Sequence, residues 1–259
     1  MKIALCNIPI RWEKPEANIE LCSLTCKSVK ESDSKVELLL FPEFFTYGFS
    51  VNSTQFEDKK GESLKSIQRL AIQYDFAIYA SVPVKDGESI YNRGYFVKPD
   101  GTYNFYDKRH LFSYGGEDLF FTRGNKRVIV KYKEWKILLQ LCYDLRFPVW
   151  SRNIENDFDL IINIASWPSV RSNVIKTLAS ARAIENQSYY AFLNRSGSDL
   201  DINYSGESFV FSCDGTPINH TIANIDSNYS IFDLDKASLL SFRAKFPVWR
   251  DSDKFKILY

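Results

Sequence analysis

The sequence predicts a layered α/β fold with mixed parallel and antiparallel strands, and three observations support this. Strand-like and helix-like segments alternate along all 259 residues, as in proteins whose parallel strands are joined by helices. Hairpin signals at Pro99-Asp100-Gly101 and at Lys133-Glu134 interrupt the alternation and require antiparallel pairs. No linker, repeat or low-complexity tract divides the chain, so we predict a single domain over residues 1–259.

Hydrophobic periodicity assigns the individual elements. Short apolar runs bounded by turn residues predict strands, and apolar residues at three- and four-residue spacing predict helices. The predicted strands are Lys2–Ile8, Glu37–Phe41, Phe76–Val84, Tyr91–Val97, Thr102–Asp107, Arg127–Tyr132, Lys136–Cys142, Leu160–Ile164, Tyr189–Asn194, Ser208–Phe211 and Tyr229–Asp233. The predicted helices are Ala17–Lys30, Leu64–Tyr74, Val149–Ile154, Ser172–Asn186 and Lys236–Arg243, followed by a tail over residues 245–259.

Charge and hydropathy exclude several classes of partner. Lysine and arginine number 33 against 32 aspartate and glutamate residues, so the sequence predicts no general attraction to nucleic acid or to an anionic membrane. No apolar run reaches the roughly 18 residues that a membrane-spanning helix needs. Neither a G-x-G-x-x-G nor a G-x-x-x-x-G-K-[ST] motif occurs, so nothing supports nucleotide-phosphate chemistry.

The five cysteines predict neither disulfides nor a metal site. Their number is odd and no C-x-x-C pair occurs, a pattern typical of free thiols. The N-terminal tract MKIALCNIPIRW lacks a small-residue cleavage pattern and predicts a first strand rather than a signal peptide. Free thiols without an export signal predict a reducing, cytoplasmic location.

Cys142 is the cysteine whose position points to chemistry. It ends an apolar strand, and Phe147-Pro148 then turns the chain, so the thiol is placed to meet a substrate. We expect free backbone N–H groups and the positive end of a helix dipole to lower its pKa. Taken alone, a free cysteine is more often a small buried hydrophobe. That interpretation suits the other four, which are Cys6, Cys22, Cys26 and Cys213.

Histidine is the usual partner of a nucleophilic thiol, but this chain has only two. His220 lies near a turn and is predicted to be at the surface. His110 follows a strand directly and could pair with Cys142, although the sequence offers no third group to orient its ring. The alternative is a carboxylate that takes the proton, together with a lysine that supplies the positive charge.

Glu43 and Lys108 suit this alternative, because Glu43 follows the apolar run Leu38–Pro42 and Lys108 follows the predicted strand Thr102–Asp107. Glu43 stands between Pro42 and Phe44, where partial desolvation suits a carboxylate to the work of a general base. The simpler interpretations are a solvated loop acid for Glu43 and a charge run on a solvated face for Lys108. Three reactive side chains at the ends of three strands nevertheless predict one site, because α/β folds build their sites there.

Three tracts occur in a defined order, FPEFFTYGF at 41–49, YDKRHLF at 106–112 and CYDLRFPVWSRN at 142–153. In this order and at these separations they resemble the nitrilase superfamily of carbon–nitrogen hydrolases. The resemblance covers essentially the whole chain, including ARAIENQ at 181–187 and KFPVW at 245–249. With Trp-Pro-x-x-Arg at 167–171, the tracts look most like omega-amidases of the bacterial 2-oxoglutaramate amidase type. The resemblance implies a four-layer α-β-β-α sandwich with mixed sheets, in proteins that commonly form homodimers.

The resemblance also implies a Glu-Lys-Cys triad. Glu43 matches the general base, Lys108 the lysine that stabilises the tetrahedral intermediate, and Cys142 the nucleophile. Glu117 falls where members carry a second structural or catalytic glutamate, and the backbone N–H of Tyr143 would help to hold the oxyanion. The reaction implied is amide hydrolysis through a thioester. It needs no metal or cofactor, because the lysine carries the positive charge.

The substrate implied is the terminal amide of a small 2-oxo dicarboxylic acid, such as 2-oxoglutaramate or 2-oxosuccinamate. Its distant carboxylate needs a cation, and we predict that Arg171 binds it with two parallel hydrogen bonds. Arg146 is the competing candidate, unless it pairs with Asp144 or Glu185 to brace the turn. The predicted aromatic walls of the pocket are Trp167, Phe44, Phe45 and Tyr47.

Two alternatives stay open. The first keeps the triad but acts on a carbamoyl-amine, a nitrile or a short aliphatic amide. The second is a non-catalytic member that uses the fold as a binding module, against which the three intact triad residues argue. Many members carry a His-Trp pair before the ARAIENQ tract, where this chain has Asn173-Val174. That departure concerns the substrate pocket and leaves the triad intact.

Overall fold

Strands outnumber helices in the computed structural model, which describes residues 1–224 and 228–257. The helices are α1 (Pro15–Ser32), α2 (Glu62–Tyr74), α3 (Pro148–Ser151), α4 (Ile175–Asn186) and α5 (Lys236–Lys245). The strands are β1 (Lys2–Cys6), β2 (Leu38–Leu40), β3 (Glu57–Asp58), β4 (Ala77–Asp86), β5 (Ser89–Val97), β6 (Tyr103–Asp107), β7 (Ile129–Tyr132), β8 (Trp135–Leu141), β9 (Leu160–Ala165), β10 (Tyr189–Asn194), β11 (Ser196–Asp199), β12 (Ile202–Ser205), β13 (Ser208–Phe211), β14 (Pro217–Ile218), β15 (Ile222–Asn224) and β16 (Tyr229–Asp233).

Two large mixed sheets contain most of the strands. The first has the order β15-β16-β1-β2-β4-β5-β6, with β3 added beside β4. Its strands β1, β2 and β4 are parallel neighbours, whereas β5 and β6 are paired antiparallel. The second has the order β14-β13-β10-β9-β8-β7, in which β8, β9 and β10 are parallel. The predicted mixture of parallel and antiparallel pairs is confirmed.

The two sheets face each other across the main core. Leu40 of the first sheet and Leu139 of the second belong to the same buried cluster. Behind the first sheet, α1 and α2 bury Cys26 and Ile67, and behind the second sheet α4 buries Ala179. The layers therefore follow the order α-β-β-α, as predicted. Because both faces of each sheet are covered, central strands such as β2, β9 and β10 are buried along their whole length and are mostly apolar.

Helices α1, α2 and α5 extend two residues beyond their predicted bounds at one or both ends, whereas α3 and α4 are shorter than predicted. Helix α3 is only four residues long, because Arg152 returns the chain to an extended conformation. Helix α4 begins at Ile175 rather than at Ser172, because Ser169–Val174 first forms a 3-10 helix. Within residues 1–224 and 228–257, none of the helices combines the length and the apolarity that a bilayer crossing requires.

The carboxyl ends of four strands meet at one edge of the two sheets. Strand β6 is antiparallel to β5, and β5 to β4, so β6 points in the same direction as β2 and β4. In the second sheet, β8 and β9 are parallel. Glu43, Lys108, Cys142 and Ser166 follow β2, β6, β8 and β9 respectively, and this shared edge brings them together.

Candidate active site

Glu43 lies in the turn that follows β2, where the next residue, Phe44, has a left-handed backbone with φ +53°. The side chain of Glu43 is fully buried. Its Oε1 accepts hydrogen bonds from Lys108 Nζ at 2.8 Å and from Asn92 Nδ2 at 2.8 Å. Its Oε2 accepts a hydrogen bond from the backbone N–H of Ser166 at 2.9 Å. These donors hold the carboxylate where the two sheets meet.

The ammonium group of Lys108 lies between two buried carboxylates. It contacts Glu43 Oε1 at 2.8 Å and Glu117 Oε2 at 2.8 Å, and all three side chains are buried. Burial by itself lowers the pKa of an ammonium, but the attraction of Glu117 and Glu43 outweighs it, so the pKa of Lys108 is raised. Lys108 therefore stays charged. It lines the same cavity as Cys142 and provides a cation there.

Glu117 completes the buried cluster from a short 3-10 helix, Glu117–Leu119. Its carboxylate binds Lys108 and accepts a hydrogen bond from the backbone N–H of Phe112 at 2.6 Å. Burial raises the pKa of Glu117, and the positive charge of Lys108 opposes this shift. Asn92, on β5, donates to both glutamates at 2.8 and 3.0 Å. No motif reveals this asparagine, because its role depends on side chains that are distant in the sequence.

Cys142 begins a 3-10 helix, Cys142–Arg146, directly after β8. Its φ of +42° lies in the left-handed region, which is rare and strained for a residue with a side chain. The side-chain amide of Asn163 donates to the carbonyl of Cys142 at 3.3 Å and supports this turn. Nucleophiles are presented on comparable strained turns at strand ends in other hydrolases.

The pKa of the Cys142 thiol is raised, so the prediction of a lowered pKa is wrong. Burial is the largest cause, the charge of Glu43 and its hydrogen bond to the thiol add to it, and Lys108 opposes them. The helix that follows begins only at Pro148 and is four residues long, too short and too late to offset burial. Cys142 is therefore a neutral thiol at rest and needs a base within hydrogen-bond reach, a position that Glu43 occupies.

A cavity of about 210 Å³ opens in front of Cys142. Its walls are largely aromatic, and the described residues that line it include two arginines and no carboxylate. They are Phe49, Lys108, Phe112, Tyr114, Gly115, Cys142, Tyr143, Arg146, Ser166, Trp167, Pro168, Arg171, Ile202 and Tyr204. A cavity with this lining suits a small acidic molecule that has an apolar chain.

Phe44, Phe45 and Tyr47 do not line this cavity, and their prediction as pocket walls is wrong. Phe44 packs in the core against Phe121, with ring centroids 5.5 Å apart. Tyr47 donates a hydrogen bond to Glu57 Oε1 at 3.2 Å. An aromatic tract near a nucleophile does not reveal which rings face a cavity, because that depends on how the turn packs.

The two arginines of the cavity contact aromatic rings. The guanidinium of Arg146 lies 5.1 Å from the ring centroid of Trp167, and that of Arg171 lies 4.9 Å from the ring centroid of Tyr114. Trp167 lines the cavity with them, and its indole N–H donates to the backbone carbonyl of Arg171 at 3.0 Å. With no carboxylate in the described lining, both arginines are available to an anionic ligand.

Arg182, rather than Arg146, braces the turn after β8. Its guanidinium donates twice to the backbone carbonyl of Leu145, at 3.2 and 3.0 Å, and pairs with Glu185 at 3.2 Å. The carboxylate of Asp144 instead binds donors from other segments of the chain. The alternative in which Arg146 pairs with Asp144 or Glu185 is therefore wrong.

The two histidines do not line the cavity. His110 Nδ1 contacts Asp144 Oδ1 at 2.7 Å, so an orienting group is present that the sequence does not reveal. The ring of His110 lines a separate cavity with Phe147 and Trp150, and His220 is exposed. Geometry therefore gives the Cys–His alternative no support. In the described part of the chain, no group of three or more His, Cys, Asp or Glu side chains could hold a metal ion.

Comparison with known proteins points to one family for this chain. Residues 2–243 match the carbon–nitrogen hydrolase family. The chain is similar to omega-amidase YafV of Escherichia coli (strain K12), at 38% identity over 99% of this chain and 98% of that protein. It is also similar to the 2-oxoglutaramate amidase of Bacillus subtilis, at 30% identity over 80% of this chain and 81% of that protein.

A solved structure supports the same relationship. The CN-hydrolase superfamily protein of Xanthomonas campestris, which carries an arsenic adduct in its active site, superposes with a TM-score of 0.92. It is 35% identical, and the match covers 99% of this chain and 98% of that chain. The layered fold, the buried cluster and these similarities together show that the chain belongs to the carbon–nitrogen hydrolase family.

Proposed function

We propose that the protein is an omega-amidase, which hydrolyses the terminal amide of a small 2-oxo dicarboxylic acid monoamide to the acid and ammonia. The main support is the cavity itself, which combines the thiol of Cys142, beside the buried carboxylate of Glu43, with two arginines; its lining, among the residues that the structure describes, contains no carboxylate. The similarity to an omega-amidase and to a 2-oxoglutaramate amidase supports the same reaction. The candidate substrates are 2-oxoglutaramate and 2-oxosuccinamate.

Acylation begins when the thiol of Cys142 gives its proton to Glu43, to which it is hydrogen-bonded. The sulfur attacks the amide carbonyl carbon, and a tetrahedral intermediate forms. Lys108 Nζ and the backbone N–H of Tyr143 hold its oxyanion. As the second residue of its 3-10 helix, Tyr143 has an N–H without a partner inside that helix. Loss of one such donor typically lowers the rate about 100- to 1,000-fold.

Collapse of the intermediate breaks the C–N bond and leaves a thioester on Cys142. The proton held by Glu43 passes to the leaving nitrogen, which departs as ammonia. Water then gives a proton to Glu43 and attacks the thioester, and the proton returns to the thiolate as the acid is released. Glu117 acts through Lys108, because its carboxylate holds the ammonium group at 2.8 Å.

Arg171 binds the distant carboxylate of the substrate in this proposal. A guanidinium donates two parallel hydrogen bonds to a carboxylate, and Arg171 stands on the cavity wall beside Trp167. The carbon chain of the substrate packs against the ring of Trp167. Arg146 then faces the 2-oxo group, where its positive charge disfavours the ammonium group of an amino acid such as glutamine.

A second candidate function keeps the same cluster but acts on a carbamoyl-amine, a nitrile or a short aliphatic amide. Such substrates carry no carboxylate, so Arg146 and Arg171 would lie in the cavity without an anionic ligand. A non-catalytic binding module is less consistent with the cluster of Glu43, Lys108 and Glu117. Burial of three ionisable groups costs stability that a binding surface does not require.

Ammonia release from 2-oxoglutaramate, 2-oxosuccinamate, glutamine and butyramide, measured side by side, tests the proposal. We expect the 2-oxo substrates to react fastest, and glutamine at least about 100-fold more slowly in kcat/KM because of charge repulsion. Cys142→Ala should stay folded and release no ammonia, whereas Cys213→Ala, a control at another buried cysteine, should keep the rate. Fastest release from butyramide would favour the second candidate, and full activity of Cys142→Ala would refute the mechanism.

We also propose that the enzyme is a cytoplasmic homodimer. Helix α5 and the following segment carry exposed apolar side chains, Leu240, Phe246 and Phe255, which a second copy could cover. The five cysteines are free and buried, as expected of a protein from a reducing compartment. Sedimentation velocity tests the assembly, because a single species at the 30.1 kDa mass of one chain would exclude the dimer.

A further inference from the structure

His110 and Asp144 form a contact that the mechanism above does not use. His110 Nδ1 contacts Asp144 Oδ1 at 2.7 Å, and the backbone N–H of His110 donates to the same oxygen at 3.2 Å. Because an ionised carboxylate only accepts hydrogen bonds, Nδ1 carries the proton. The imidazole also stacks on Phe147, with ring centroids 3.8 Å apart and 6° between the planes. The ring orientation is therefore set from two directions.

Asp144 is fully buried, and both of its oxygens are occupied. Its Oδ2 accepts hydrogen bonds from the hydroxyl of Tyr106 at 2.7 Å and from the backbone N–H of Leu141 at 2.9 Å. The same hydroxyl accepts a hydrogen bond from Trp150 Nε1 at 3.0 Å. Four donors thus hold one buried carboxylate, and fully satisfied buried networks of this kind are rigid.

The positions of these residues in the chain connect the two halves of the site. His110 comes two residues after Lys108 on the segment that leaves β6, and Asp144 comes two residues after Cys142 on the turn that leaves β8. Strands β6 and β8 belong to different sheets, so the contact ties the ammonium-bearing segment to the thiol-bearing turn. We propose that His110 is a positioning residue that sets, through Asp144, the separation of Lys108 Nζ from Cys142 Sγ. This proposal rests on the catalytic roles proposed for Lys108 and Cys142.

In this proposal His110 affects the rate by positioning other groups rather than by contacting the substrate. Its ring lines a separate cavity of about 160 Å³ rather than the one at Cys142. A displacement of about 1 Å in a catalytic group can lower a rate about 100-fold. Lys108 also opposes the rise in the pKa of the Cys142 thiol. A greater separation of Lys108 from Cys142 would therefore move the ionisation of the thiol to higher pH.

Three substitutions of His110 separate the hydrogen bond from the bulk of the ring. The amide nitrogen of His110→Asn matches Nδ1 and that of His110→Gln matches Nε2, so only the asparagine restores the contact with Asp144. With 2-oxoglutaramate, His110→Ala and His110→Gln should lower kcat about 10- to 100-fold, with KM changed less than about twofold. His110→Asn should recover most of the rate. The control is His220→Ala, because His220 is exposed.

Alkylation of Cys142 by iodoacetamide, followed by mass spectrometry across a pH series, gives a readout that does not need a substrate. The profile should move to higher pH in His110→Ala and His110→Gln, and should match the parent enzyme in His110→Asn and His220→Ala. Equal impairment of the asparagine and glutamine variants would overturn the inference, and so would unchanged kcat and alkylation in His110→Ala. If the parent enzyme releases no ammonia, the proposed function fails, and the alkylation profiles still decide the positioning role.

Discussion

Replacement of Lys108 by methionine would remove the ammonium group from the buried cluster and change its volume little. The native ammonium contacts Glu43 at 2.8 Å and Glu117 at 2.8 and 3.0 Å. In the variant, the buried carboxylates of Glu43 and Glu117 would lie opposite each other without a cation between them. The side-chain amide of Asn92 would still donate to both. Removal of one partner from a buried ion pair costs about 3–5 kcal/mol. For a large domain this corresponds to a fall in Tm of roughly 6–20 °C.

The loss of stability in Lys108→Met depends on pH. The protonation of Glu117 decides whether this loss grows or shrinks as the pH rises. Burial raises the pKa of Glu117 and Lys108 opposes that shift. Without Lys108, the carboxylate pair keeps a proton in the folded state at pH values where the unfolded chain has released it. The folded variant then binds more protons than the unfolded chain, so its stability falls as the pH rises above the ordinary glutamate pKa of about 4.3. The deficit in Tm should therefore be larger at about pH 8 than at about pH 5.

Differential scanning fluorimetry of the parent enzyme and the variant at both pH values measures this effect. The control is Lys59→Met, which removes a half-exposed lysine from its ion pair with Asp86. Because solvent screens that pair, its loss should change Tm little at either pH. If Lys108→Met melted within about 2 °C of the parent enzyme at about pH 8, or showed the same deficit at both pH values, the cluster would not carry the buried charge that its geometry implies.

Two further variants separate the proposed roles. Glu43→Gln should lower turnover about 100- to 10,000-fold, because the base is lost. The same change removes a negative charge that raises the pKa of the Cys142 thiol, so iodoacetamide should alkylate Cys142 faster at neutral pH than in the parent enzyme. Parallel loss of turnover and alkylation would contradict this assignment. Arg171→Ala should raise KM for 2-oxoglutaramate about 10- to 100-fold, the range of a hydrogen bond to a charged group. An unchanged KM in the ammonia-release assay would exclude Arg171 from the binding role.

Much of the fold is readable from the sequence because the central strands are covered on both faces. Leu38–Leu40 is continuously apolar, and Leu160–Ala165 is apolar except for Asn163, a pattern close to that expected of a sheet buried on both sides. Short polar strands cannot be predicted in this way, because they contain no apolar run. Strand β11 has the sequence SGSD and is defined by its pairing with β12 rather than by its own periodicity.

The candidate nucleophile, base and lysine can be located along the chain because each follows a strand, and the carboxyl ends of these strands lie together at one edge of the two sheets. Their surroundings come from packing alone. Asn92, on β5, and Ser166, directly after β9, reach Glu43 from segments remote in the sequence, and no local pattern records such contacts. The direction of the Cys142 pKa shift is decided in the same way, because burial and a neighbouring carboxylate outweigh the short turn that follows the thiol.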